Sequence, residues 1–124
     1  MGQIFGIGTD IVEKSRFEYI NIEKLAKRIL THYELLEFEN AKDKKHFLAK
    51  KFSIKESISK AFGVGIGARL SFLDMETSHD SKGKPVCEIK NNRSFAITHS
   101  KVCVHITSSD TKTLIITHCV VEVT

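Results

Sequence analysis

Two carboxylates and a lysine in this sequence have types and positions that could support phosphate chemistry. Asp10 sits in the apolar, β-branched run Ile4-Phe5-Gly6-Ile7-Gly8-Thr9-Asp10-Ile11-Val12. Burying a lone carboxylate is costly unless a cation or hydrogen-bond donors meet it. Glu56 and Lys60 stand four residues apart in a stretch of helical period, so they share one helix face. Taken singly, Asp10 would also suit a strand end or turn, and Glu56 with Lys60 would also make an ordinary surface pair. Two carboxylates with few further ligands are what magnesium takes, because it keeps waters and accepts phosphate oxygens. Lys60, Gly63 and Gly65 would suit a diphosphate, by point charge and by close backbone approach.

The elements that must hold these residues are legible from periodicity. Ile4 to Val12 reads as a buried strand with Asp10 near its end. Phe17, Ile20, Leu25 and Ile29 fit helix from Arg16 onward, and Thr31 followed by Glu34 resembles a capping box. The strongest helix spans about Lys44 to Phe62. Ile54, Ile58, Ala61 and Phe62 form one buried stripe, while Leu48 and Phe52 lie near the opposite face. Such a two-sided helix is expected to be central, or sandwiched at a subunit contact. Leu70–Thr77 and Pro85–Lys90 read as strands flanking a polar hairpin loop, His79 to Lys84. Phe95–Thr98, Val102–Thr107 and Leu114–Val123 complete the strands, with Ser108-Ser109-Asp110 as a turn. The class is α+β.

Composition narrows the function. A chain of 124 residues, 41% hydrophobic and 27% charged, suits one globular domain over residues 1–124. It contains no apolar run near twenty residues and no basic-then-apolar leader, so no membrane association is expected and the cytoplasm is the expected location. Three widely spaced cysteines, without a CxxC pair, suggest buried free thiols. Between Lys14 and Lys60 there are twelve Lys/Arg against seven Asp/Glu. That excess suits an anionic partner: a nucleotide, an acidic protein or nucleic acid.

Several blocks together carry a family resemblance. Gly6-Ile7-Gly8-Thr9-Asp10-Ile11-Val12-Glu13 with Arg16-Phe17 resembles the opening signature of holo-acyl-carrier-protein synthases, small trimeric 4'-phosphopantetheinyl transferases. Arg28-Ile29-Leu30-Thr31 resembles the next block. Phe47 to Ser57 and Ser59 to Gly67 resemble the central helix signature, and Gly83-Lys84-Pro85 and Ile97-Thr98-His99-Ser100 follow in family order. The resemblance implies a long helix packed on an antiparallel sheet, and a homotrimer with active sites between subunits. It implies transfer of phosphopantetheine from coenzyme A to a serine of apo-acyl carrier protein in fatty acid biosynthesis, releasing adenosine 3',5'-bisphosphate. It implies Mg2+ on Asp10 and Glu56, and Lys60 at the coenzyme A phosphates. Thr98, His99, Lys84 and Pro85 would meet the nucleotide end, with Gly63 and Gly65 near the diphosphate. Arg16, Lys24 and Arg28 would receive the acidic carrier, and Glu56 is the candidate base for the serine proton.

The sequence also departs from that pattern. Lys51 replaces a common arginine, keeping charge but losing a planar bidentate contact. Val102-Cys103-Val104-His105 replaces an aromatic residue followed by small ones, so the last strands are open to a different pairing. Thr117-His118 rivals Thr98-His99, although Ser100 and Lys101 favour the first. His105 and His118 read as strand-end histidines. The rival function is a basic nucleic-acid-binding module, against which stand the lack of any such motif, the absence of Trp and only two tyrosines. No nucleic-acid partner is expected.

Overall fold

The computed structural model describes residues 2–90 and 101–124. The N-terminal strand β1 (Gln3–Glu13) leads through a 3-10 turn at Lys14–Phe17 into helices α1 (Ile22–Ile29), α2 (His32–Glu39) and α3 (Lys44–Phe62). A second 3-10 turn at Phe72–Asp74 precedes β2 (Met75–His79) and β3 (Pro85–Ile89), and β4 (Val102–Asp110) and β5 (Leu114–Val123) close the chain. β1 and β4 flank β5 in one antiparallel sheet, and β2 and β3 pair as a hairpin. The α+β class and the long helix on an antiparallel sheet are therefore present. No helix among the described residues is long and apolar enough to cross a membrane.

Local chemistry sets the boundaries. Asn21 caps α1 by accepting from the Lys24 amide, and Thr31 and Glu34 form the expected capping box on α2. Asp43 caps α3, and Gly63, at φ 76, closes it in the left-handed conformation that glycine takes without Cβ strain. Two expected boundaries move. The strand expected from Leu70 begins at Met75, because Ser71 and Asp74 form a capping box that holds a 3-10 turn. Ser108, Ser109 and Asp110 belong to β4 and not to a turn; the chain reverses one step later, where Thr111 Oγ1 accepts from the Thr113 and Leu114 amides.

Both apolar faces of α3 are covered inside one chain. Ile54, Ile58, Ala61 and Phe62 pack with Met75, Ile106, Cys119 and Val121. On the other side Leu48 is buried with Ala26, Ile29, Leu30 and Phe38 of α1 and α2. The two-sided helix thus needs no second subunit to cover it. β1, expected to be buried, is the exposed element: Ile7 and Ile11 are 62% and 59% exposed. They lie opposite Val120 and Ile116 on the sheet face turned away from α3.

Candidate active site

Close approach of β1 to α3 builds the site. Side chains alternate along a strand, so Gly6, Gly8 and Asp10 share the face toward the helix. A Cβ at Gly6 would overlap the Ala61 carbonyl oxygen, and one at Gly8 the Ser57 carbonyl oxygen. Only hydrogen at these positions lets the strand lie this near the helix. Two residues further along, the gap admits a carboxylate, and Asp10 meets Lys60 there, Oδ1 to Nζ 3.3 Å. Lys60 Nζ also donates to the Thr9 carbonyl at 3.0 Å. Beside Asp10, Thr117 of β5 donates to the Ser53 carbonyl at 2.9 Å and fixes the sheet to α3.

Asp10 therefore lies inside its strand, facing the helix, rather than at a strand end. Its side chain is only 13% exposed, and Oδ2 is buried without a hydrogen-bond partner among the described residues. Burial, and then the neighbouring Asp10 charge, raise the Glu56 carboxyl above its ordinary range, against smaller opposing pulls from Lys60 and Arg16. Two near carboxylates, one with an orphaned buried oxygen, are short of positive charge. A hard divalent cation bound by oxygen fits that deficit. Asp10 and Glu56 are the residues that could hold it.

Gly63 and Gly65 follow directly, both at positive φ with open space where a side chain would stand. The Gly63 amide donates to the Lys60 carbonyl as part of the helix cap, so Gly63 offers bare backbone surface rather than a free donor. Arg16 is exposed and stacks over the Phe52 ring at 5.5 Å, while Lys24 and Arg28 are exposed one turn apart on α1. Lys84 follows a tight turn in which Asp80 Oδ1 accepts from the Lys82 and Lys84 amides at 2.8 and 2.9 Å.

Lys84 and Pro85 line a second, open hollow of about 550 Å³ together with Lys50, Thr107, Ser108 and His118. Asp10, Glu56 and Lys60 are not among its lining residues. Thr98 and His99 lie outside the described residues. His105 and His118, read as strand-end residues, instead stand within β4 and β5 and line this hollow; His118 Nδ1 is 2.8 Å from Thr9 Oγ1. Their period-2 placement with Thr107 and Val120 was the available sequence signal.

Sequence reasoning missed the network beneath the site. Lys55 is fully buried and donates to Ile29 O, Glu34 Oε1 and Phe72 O at 2.6, 2.6 and 3.0 Å. Lys51, at the substituted arginine position, is buried and donates to Thr77 Oγ1 at 2.5 Å. Burial holds both ammonium groups below their ordinary range, with Glu34 opposing.

Comparison with known proteins finds relatives of the same family and fold. Residues 6–119 match the family model of the 4'-phosphopantetheinyl transferase superfamily. A holo-[acyl-carrier-protein] synthase of Vibrio atlanticus is 41% identical over 111 residues, covering 86% of this chain and 88% of that one. One from Bacillus velezensis is 49% identical over 87 residues, covering 67% and 72%. Among solved structures, a holo-(acyl-carrier-protein) synthase from Bacillus anthracis in complex with CoA (3',5'-ADP) superposes with a TM-score of 0.84 at 35% identity, over 98% of each chain.

Proposed function

The chain belongs to the 4'-phosphopantetheinyl transferase superfamily, and we propose that it moves phosphopantetheine from coenzyme A to a serine of apo-acyl carrier protein. Adenosine 3',5'-bisphosphate leaves, and residues 1–124 act as one transferase unit. The observation that carries this reading is the buried Oδ2 of Asp10, unpartnered among the described residues, beside the charge-deficient pair Asp10 and Glu56. Mg2+ held by these two carboxylates would supply positive charge to the diphosphate and its departing oxygens. Lys60, half-exposed and held among the described residues by Asp10 and the Thr9 carbonyl, turns its ammonium toward the diphosphate and stabilises charge there as the bond breaks. Glu56 takes the serine proton, directly or through a water, as a carboxylate whose proton affinity burial has raised. The carrier's acidic surface meets Arg16, Lys24 and Arg28, the exposed basic group that follows β1 in the chain.

Lys84, Pro85 and His118 take the nucleotide end, with Thr98 and His99 as further candidates. This hollow shares no lining residue with the carboxylate group, which supports a trimer whose neighbouring subunits each supply one half of a site. The exposed apolar stripe of Ile7, Ile11 and Ile116 on the outer sheet face supports it too. The test of the function is direct. Protein incubated with apo-acyl carrier protein, coenzyme A and Mg2+ should add the phosphopantetheine mass to the carrier, and folded Asp10→Ala protein should not. No mass increment from the unaltered protein would refute the transferase reading; full activity of Asp10→Ala would refute the metal assignment.

A further inference from the structure

We propose that Cys103, His105 and Glu122 form a second metal site, for a borderline-soft divalent ion such as Zn2+, on the sheet face turned away from α3. Cys103 and His105 are alternate residues of β4 and so project from the same face. Glu122 lies directly opposite Cys103 in the β4–β5 register, which places its carboxylate on that face as well. One ligand atom from each residue lies within 4.8 Å of the other two. His105 Nε2 is already 3.0 Å from Glu122 Oε1.

The Glu122 carboxylate is also backed by main chain, since a Cβ at Gly2 would overlap it. A tetrahedral site with bonds of about 2.0–2.3 Å separates its ligands by roughly 3.3–3.8 Å, so side-chain rotation alone closes the cluster. The donor set is one sulfur, one imidazole nitrogen and one carboxylate oxygen. Thiolate and imidazole favour zinc and its neighbours over magnesium or calcium, which take oxygen. This separates the cluster chemically from Asp10 and Glu56, which offer oxygen alone. Three protein ligands leave a fourth position for water.

Cys103 is the exposed cysteine of the chain, which corrects the expectation that all three are buried. Burial pushes the Cys87 and Cys119 thiols up to about 12, so neither supplies a thiolate near neutral pH. The proposal is independent of the transferase reading.

The test uses the full chain, stripped of metal and titrated with Co2+ as a spectroscopic stand-in for Zn2+. A thiolate-to-cobalt charge-transfer absorption should grow to saturation at one ion per chain, persist in millimolar Mg2+ and disappear on adding Zn2+. Cys103→Ser should abolish it, whereas Cys87→Ala should retain it. His105→Ala and Glu122→Gln should weaken Co2+ binding by at least about tenfold, the lower end of what loss of even a supporting group costs a metal site. Circular dichroism of each variant controls for folding. Absence of the absorption from the unaltered chain, or its persistence in Cys103→Ser, would overturn the proposal.

Discussion

Lys55 Nζ lies 2.6 Å from Glu34 Oε1, and neither side chain reaches solvent. The three ammonium donors of Lys55 are matched by Glu34 and by the Ile29 and Phe72 carbonyls. Glu34 in turn accepts from the Thr31 amide through Oε1, and from the Thr77 amide and hydroxyl through Oε2. One buried ion pair thereby ties α1, α2 and β2 to α3 at the residue next to Glu56.

Breaking that pair should be expensive. Lys55→Met leaves the Glu34 carboxylate buried without its cation, and losses of about 3–5 kcal/mol are usual for that change. Adding Glu34→Leu removes the stranded charge and should restore part of the loss. Chemical denaturation measures both. A loss below about half a kcal/mol, as at an ordinary surface position, would mean that the pair does not hold the helices together.

Half of this network could be read from the sequence. Thr31 and Glu34 announce a capping box because both bonds are local. Lys55, twenty-one residues further on, gives no such sign, since periodicity assigns a helix face and cannot name the partner across it. The limits of α3 and β5 were legible from their apolar stripe and β-branched run. The exposure of Ile7 and Ile11 was not, because an apolar strand at a sheet edge reads like one in a core. Asp10, Glu56 and Lys60 could be singled out as candidates from residue type and spacing, but the pairing of Lys60 with Asp10 depends on the strand–helix approach. Cys103, His105 and Glu122 were hidden for the same reason: a register, not a sequence spacing, joins them.

The approach itself can be tested at Gly8. An added methyl meets the Ser57 carbonyl, and backbone cannot swing aside as a flexible side chain can. Gly8→Ala should cost about 1–3 kcal/mol, the usual range for overpacking, and should lower transfer activity by lifting Asp10 from Glu56. Gly67→Ala, which meets open space, is the control and should be close to neutral. Equal melting temperatures for the two variants would contradict the close packing of β1 on α3.

Glu56 gives a pH dependence with a definite sign. Its folded carboxyl is raised above the ordinary 4.5, so the folded state binds this proton more tightly than the unfolded state. Stability from this group is therefore greatest below 4.5 and falls as pH rises through the higher folded value. In chelator at neutral pH, Glu56→Gln should melt above the unaltered protein, and the gap should close in acid. Added Mg2+ should raise the melting temperature of the unaltered protein more than that of the variant. A variant that melts lower in chelator at neutral pH would show that burial and repulsion from Asp10 do not destabilise the Glu56 carboxylate.

Lys60 separates a structural pair from a working one. Its side chain is 51% exposed where it meets Asp10, and exposed pairs contribute only about 0–1 kcal/mol. If pairing is its whole role, Lys60→Ala should lose no more stability than that and keep its kcat. If the ammonium meets the coenzyme A diphosphate as charge moves to the leaving group, the loss should fall mainly on kcat. Removing one such electrostatic donor typically costs about a hundredfold or more, near 3 kcal/mol of transition-state stabilisation. Lys60→Arg should rescue only in part, because a planar guanidinium cannot place its charge at the same point. The measurements are kcat and KM for coenzyme A and for the carrier, with melting temperature as the folding control. An unchanged kcat in folded Lys60→Ala protein would remove Lys60 from the transfer step and leave the charge on the diphosphate to the Mg2+ proposed at Asp10 and Glu56.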